Sequence, residues 1–109
     1  MNYLVGDIGN TLTKICLVNK DYKISKEYSV ETKKLFLDNN IYKFISPVLK
    51  KNLKKKILFS SVVPNIYSRI KQIIHSKNFQ CYEIKNLPLK KIIKINIDSY
   101  SQFLTPPEF

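Results

Sequence analysis

Only two glycines occur in the 109 residues, Gly6 and Gly9, and both fall in one short stretch near the N-terminus. The apolar run Tyr3-Leu4-Val5 leads into Asp7-Ile8-Gly9-Asn10-Thr11-Leu12-Thr13-Lys14, and Ile15-Cys16-Leu17-Val18 leads out. Two β-type runs flanking a Gly-Asn pair predict a hairpin, with Asp7 closing the first strand and Thr11 and Thr13 opening the second. Gly9 and Asn10 tolerate positive φ, so a tip of this kind can aim backbone N–H groups at one point. Amides aimed together form an anion nest, and a phosphate is the usual guest. Asp7 would repel a bare phosphate, and its presence makes sense with Mg²⁺ between the two.

The hydrophobic fraction of 44% is that of a folded protein, and the length suits one domain with a modest core. No apolar run approaches the roughly 18–20 residues of a membrane span. Asp7 also interrupts the N-terminal apolar run too early for a signal peptide. The expectation is a cytoplasmic protein with no membrane partner. A formal net charge of +11 raises the question of nucleic acid. Of the 19 basic residues, however, only Arg69 is an arginine, the side chain that base readout and bidentate phosphate clamps favour. The chain lacks alanine and tryptophan and is heavy in Lys, Ile and Asn, residues with A/T-rich codons, so genome composition accounts for much of the lysine. The lysine-rich stretch at residues 50–56 carries no aromatic side chain to stack on bases. It reads as a solvated turn before a buried strand, and no nucleic-acid partner is expected.

Cys16 and Cys81 fall in predicted strands, without Cys-x-x-Cys spacing and with a single histidine, His75. That gives no metal-ligand cluster, and both cysteines read as small buried hydrophobes. His75 sits near the end of a predicted helix, where a partial positive charge suits the dipole.

Residues 23–30 predict a third strand, completing an antiparallel meander. Thr32 reads as the N-cap of a helix whose apolar face carries Leu35, Phe36, Ile41, Phe44 and Ile45, with Pro47 ending or kinking it at Ser46. Ile57-Leu58-Phe59-Ser60 has the near-continuous apolar character of a strand covered on both faces. Pro64 suits the first turn of a second helix, on which Ile66, Ile70, Ile73 and Ile74 recur at helical spacing. Residues 79–84 predict a further strand, Pro88 breaks the chain after it, and residues 90–97 supply a last extended segment. The reading is an α/β fold, a mixed sheet in the order β-β-β-α-β-α-β with helices packed on it.

Asp7-Ile8-Gly9-Asn10-Thr11 followed by Lys14, directly after an N-terminal strand, resembles the first phosphate motif of type III pantothenate kinases, members of the actin, Hsp70 and sugar-kinase superfamily. Ser60-Ser61-Val62-Val63-Pro64, between a strand and a helix, resembles a second segment of that family at about the usual separation. Phe103 in Phe103-Leu104-Thr105-Pro106-Pro107-Glu108-Phe109 can be laid over the tyrosine of the family's Tyr-x-x-Pro, a substrate segment just ahead of Gly-x-Asp-Arg. The sequence stops one residue before that glycine would fall.

The resemblance implies an RNase-H-like, actin-like domain over residues 1–98 and a tail over 99–109. It implies transfer of the γ-phosphoryl of ATP to pantothenate, the opening step of coenzyme A synthesis, with Mg²⁺ and a monovalent cation, K⁺ or NH₄⁺. The full-length enzymes are homodimers. Residues 7–14 are then the nucleotide-binding segment, with Asp7 at the metal through water, the Gly9 to Thr11 backbone at phosphate, and Thr11 and Lys14 as supporting polar contacts. The catalytic base belongs to Gly-x-Asp-Arg, so none is assignable here. The chain would supply the N-terminal half and be inactive alone. The alternative is a non-catalytic homologue serving as an interaction or regulatory module of the Bvg accessory factor kind.

Overall fold

The computed structural model describes residues 1–37 and 39–84. Five strands, β1 (Asn2–Ile8), β2 (Leu12–Val18), β3 (Ile24–Glu31), β4 (Leu53–Ser61) and β5 (Gln80–Glu83), form one sheet in the order β3-β2-β1-β4-β5. The first three make the expected antiparallel meander, while β4 and β5 add in parallel on the other side of β1. Helices α1 (Asn40–Leu49) and α2 (Pro64–Ser76) are the crossovers that parallel pairing demands. The strand and helix order is therefore the one read from the sequence. The extended segment at 90–97, the break at Pro88 and Phe103 lie outside the described residues.

The two sheet faces have different fates, set by the period of two along each strand. Leu4 and Ile8 of β1, Ile15 and Leu17 of β2, and Ile57 and Phe59 of β4 share one core with α1 and α2. Tyr3, Val5, Cys16, Val18 and Leu58 alternate with them and form a second buried cluster. From α1, Ile41, Ile45, Val48 and Leu49 enter the first core; from α2, Ile66, Ile70 and Ile74 do so. Each such aliphatic side chain is worth about 1.5–3 kcal/mol of burial. Pro64 stands in the first turn of α2, where its missing N–H costs nothing. Both cysteines are buried and free, as expected. Burial and the neighbouring Glu27 push the Cys16 thiol to about 11. Burial pushes that of Cys81 to about 12.

Three local expectations are corrected. Thr32 does not cap a long helix: a short 3-10 helix, Thr32–Phe36, precedes α1, and the Thr32 hydroxyl bonds elsewhere. Asn40 closes the 3-10 segment instead, its side-chain amide donating to the Lys34 carbonyl at 2.8 Å. Pro47 does not end α1, which runs on to Leu49. Its missing N–H falls in the last turn, and buried Val48 and Leu49 hold that turn to the core. At His75, near the end of α2, burial and then Lys71 push the pKa down from 6.5, against the expected partial positive charge.

Gly6 owes its presence to packing. It is paired across the parallel ladder with Phe59, and a Cβ there would lie 2.0 Å from Cε1 of the fully buried Phe59 ring. Gly6→Ala is expected to lower stability by about 1–3 kcal/mol through overpacking. Urea unfolding checks this, and adding Phe59→Leu should recover part of the loss by freeing the ring's volume.

Candidate functional site

Hairpin tip and second motif meet at the same end of the sheet. β1 pairs with β2 so that Asp7 faces Lys14, and with β4 so that Asp7 lies beside Ser60 and Ile8 beside Ser61. Lys14 pairs in turn with Ser29 of β3. Ser60, Asp7, Lys14 and Ser29 thus form one polar row across four strands, on the face opposite the helices. Behind it lies the buried row of Leu58, Val5 and Cys16. Leu58 and Ser60 stand two apart on β4, as Val5 and Asp7 do on β1, so each shares a face with its neighbour in the row.

Asp7 is partly buried, and that burial raises its carboxyl above 3.8, with Lys14 offsetting part of the rise. Lys14 Nζ also lies 3.6 Å from Glu27 Oε1, both side chains being about half exposed. Such a pair contributes about 0–1 kcal/mol and yields readily to a stronger partner. Among the described residues no group of three or more His, Cys, Asp or Glu gathers as a metal cage.

The tip itself departs from the expected geometry. Neither Gly9 nor Asn10 has a positive φ; Tyr22 and Asn78 are the described residues that do. Gly9 N–H donates to the Leu12 carbonyl at 3.0 Å and is engaged within the turn. A Cβ on Gly9 would stand 3.0 Å from that same oxygen, a tight contact that disfavours a side chain there without any left-handed backbone. The amides of the exposed Asn10 and Thr11 donate to no backbone acceptor among the described residues. Leu12 is partly exposed beside them, whereas Ile8 is fully buried.

Thr13 is also buried, and its hydroxyl lies 2.9 Å from that of Thr32. Thr32 additionally donates from its hydroxyl to the Gly9 carbonyl at 2.7 Å and from its N–H to the Thr11 carbonyl at 2.9 Å. Sequence reasoning missed this role, because a threonine opening a helical segment reads first as a cap. Ser61 makes a local turn, accepting from Val63 N–H at 3.0 Å, so of the two serines it is Ser60 that stands beside Asp7. Two depressions on the helix layer, of about 440 Å³ at Tyr67, Lys71, His75 and Glu83 and about 350 Å³ at Tyr42 and Arg69, do not include the tip.

A β-meander extended by parallel strands through helices on one face is the arrangement of an actin-like, RNase-H-like α/β domain. The family model described as type III pantothenate kinase matches residues 3–103. A type III pantothenate kinase of Pelagibacter ubique (strain HTCC1062) is 41% identical over 97 residues, covering 87% of this chain and 39% of that protein. The chain belongs to the type III pantothenate kinase family. It spans about two fifths of the length of that relative.

Folding raises the Asp7 pKa, so the folded chain holds that proton more tightly than the unfolded chain. Its contribution to stability is therefore full below 3.8 and is lost as pH rises through the folded value. Asp7→Asn is expected to be at least as stable as the parent at pH 7, with the two unfolding midpoints converging at acid pH. Thermal melts across the pH range check this. A parent that gains on the variant as pH rises would mean that the Asp7 charge is structurally paired.

Proposed function

We propose that the chain is the phosphate-binding N-terminal part of an ATP-dependent pantothenate kinase, which makes phosphopantothenate for coenzyme A synthesis. The observation that carries this reading is the register of β1 between β2 and β4. It sets a half-buried carboxylate, Asp7, beside Ser60 and next to a tip whose exposed residues Asn10 and Thr11 donate to no backbone acceptor among the described residues. Those two amides are the donors offered to the polyphosphate, since that of Gly9 is committed to Leu12. Thr11 is exposed and serves as a further polar contact. Lys14 leaves its loose pairing with Glu27 to meet the added negative charge. The side chains of Ile8 and Thr13 face the core, so in residues 7–14 they act as supports.

Mg²⁺ fits this setting as an ion that arrives with the nucleotide. One carboxylate raised by burial favours a cation nearby, and Mg²⁺ is commonly held by one or two carboxylates together with substrate phosphates. Asp7 would hold it through water, and its chemistry there is neutralisation of charge on the transferring phosphoryl group. The monovalent cation, K⁺ or NH₄⁺, a homodimeric full-length enzyme and a cytoplasmic location belong to the same reading. No helix among the described residues is long and apolar enough to cross a membrane. Gly-x-Asp-Arg does not occur in residues 1–109, so the base for the pantothenate hydroxyl is assigned to no residue here.

Joining this chain to the remaining part of the Pelagibacter ubique relative tests the proposal. The chimera is expected to form phosphopantothenate from ATP and pantothenate with Mg²⁺ and K⁺ or NH₄⁺. Asp7→Asn within it should lower kcat/KM at least ~100-fold, about 2.7 kcal/mol of transition-state stabilisation. The 109-residue polypeptide alone should be silent, because closing the cleft against water takes both domains. Near-normal turnover by the Asp7→Asn chimera would reduce Asp7 to a turn residue. A folded but inactive chimera would favour the non-catalytic homologue.

A further inference from the structure

We infer that Thr32 is the positioning residue of the hairpin tip, setting through Gly9 the direction of the Asn10 amide; its link to phosphate rests on the function proposed above. A hydroxyl has one proton to give. That of Thr32 goes to the Gly9 carbonyl at 2.7 Å, so the 2.9 Å contact with Thr13 is donated by Thr13. The result is a relay from the Thr13 hydroxyl to the Thr32 hydroxyl to the part-buried Gly9 carbonyl, with Thr13 fully buried and Thr32 1% exposed. In such surroundings each link strengthens the next, and a broken link leaves an unpaired polar group.

The consequence follows from the planarity of the peptide. The carbonyl of Gly9 and the N–H of Asn10 belong to one trans peptide unit and point in opposite directions. By drawing the Gly9 carbonyl toward the start of the 3-10 helix, Thr32 turns the Asn10 N–H away from it. Its own N–H draws the Thr11 carbonyl in the same way, at 2.9 Å. Two of the carbonyls around the turn are thus held by one residue of another element.

The turn has little else to hold it. Tight two-residue hairpin loops lock themselves with positive φ and a reciprocal pair of backbone bonds. Here the two residues between Gly9 and Leu12, Asn10 and Thr11, have no positive φ. Among the described residues the Gly9 carbonyl accepts from Thr32 alone, with no return bond from Leu12 N–H. An anion site gains from donors already aimed before the ligand arrives. Thr32 supplies that aim from outside the motif.

The test uses ¹⁵N-labelled chain, backbone order parameters, and titration with tripolyphosphate and Mg²⁺. In Thr32→Val, order parameters at Asn10 and Thr11 are expected to fall from rigid values toward about 0.6, and affinity to weaken at least about fivefold. Thr32→Ser, which keeps the hydroxyl, should stay within about twofold of the parent in affinity and keep an ordered tip. Ile70→Val, a core truncation in α2, should lower stability without softening the tip. Should Thr32→Val fail to fold, Thr32→Cys carries the test, its thiol filling the site as a weak donor. An unchanged tip and affinity in the hydroxyl-free variant would overturn the inference, as would equal softening in Ile70→Val. If tripolyphosphate shifts no tip amide even in the parent, the phosphate reading fails, and the order parameters alone decide whether Thr32 fixes the tip.

Discussion

The flat ring of Phe59 lies against the bare backbone of Gly6, and through that contact β4 settles alongside β1. A side chain at position 6 would collide with the ring at 2.0–2.5 Å, so the pair tolerates close approach only as glycine and aromatic. The register that brings Phe59 opposite Gly6 also brings Ser60 opposite Asp7 and Ser61 opposite Ile8. A slip by one residue would send Asp7 and Ser60 to different faces and point Phe59 away from the helices. Core packing and site assembly are therefore one event: the apolar fit specifies where the polar row falls.

Around that row the chain accepts local costs. Asp7 is partly withdrawn from water, and the loosely held Lys14 offsets only part of what that burial costs the charged carboxylate. Such a group contributes little to stability while ionised and suits a site that gathers a cation with its anionic ligand. The tip likewise leaves two amides without internal acceptors among the described residues. Neither feature helps the fold, and both face the same end of the sheet.

Much of the architecture was legible in the sequence. The hairpin followed from its apolar runs, α2 from Pro64 and the isoleucine spacing, and the two motifs from their residues. What was not legible depended on partners distant in sequence. Thr32 looked like a cap, but the Gly9 carbonyl 23 residues earlier outcompetes the local partner. Residues 53–56 looked like a solvated turn because lysine dominates them, yet they are the first residues of β4. Lys54 and Lys55 lie over the rings of Tyr3 and Phe79 at 5.8 and 4.7 Å, so their stems and charges are accommodated on the sheet. Gly9 drew attention as a backbone joint, yet it has no positive φ, whereas Gly6 is the place where the Phe59 ring comes too close for a side chain. In residues 7–14, composition marked the segment but not the division between exposed and inward-facing members, which the strand alternation settles.

In the proposed function a metal–triphosphate complex meets the chain at the end of β1. Paramagnetic broadening with Mn²⁺ in place of Mg²⁺ reads that position directly, since the effect falls steeply with distance from the ion. With ATP present, resonances of Asp7, Asn10, Thr11 and Ser60 should broaden first, and Asp7→Asn should suppress the effect. Broadening centred instead on Lys54 to Lys56, or on the depression at Lys71 and His75, would contradict it.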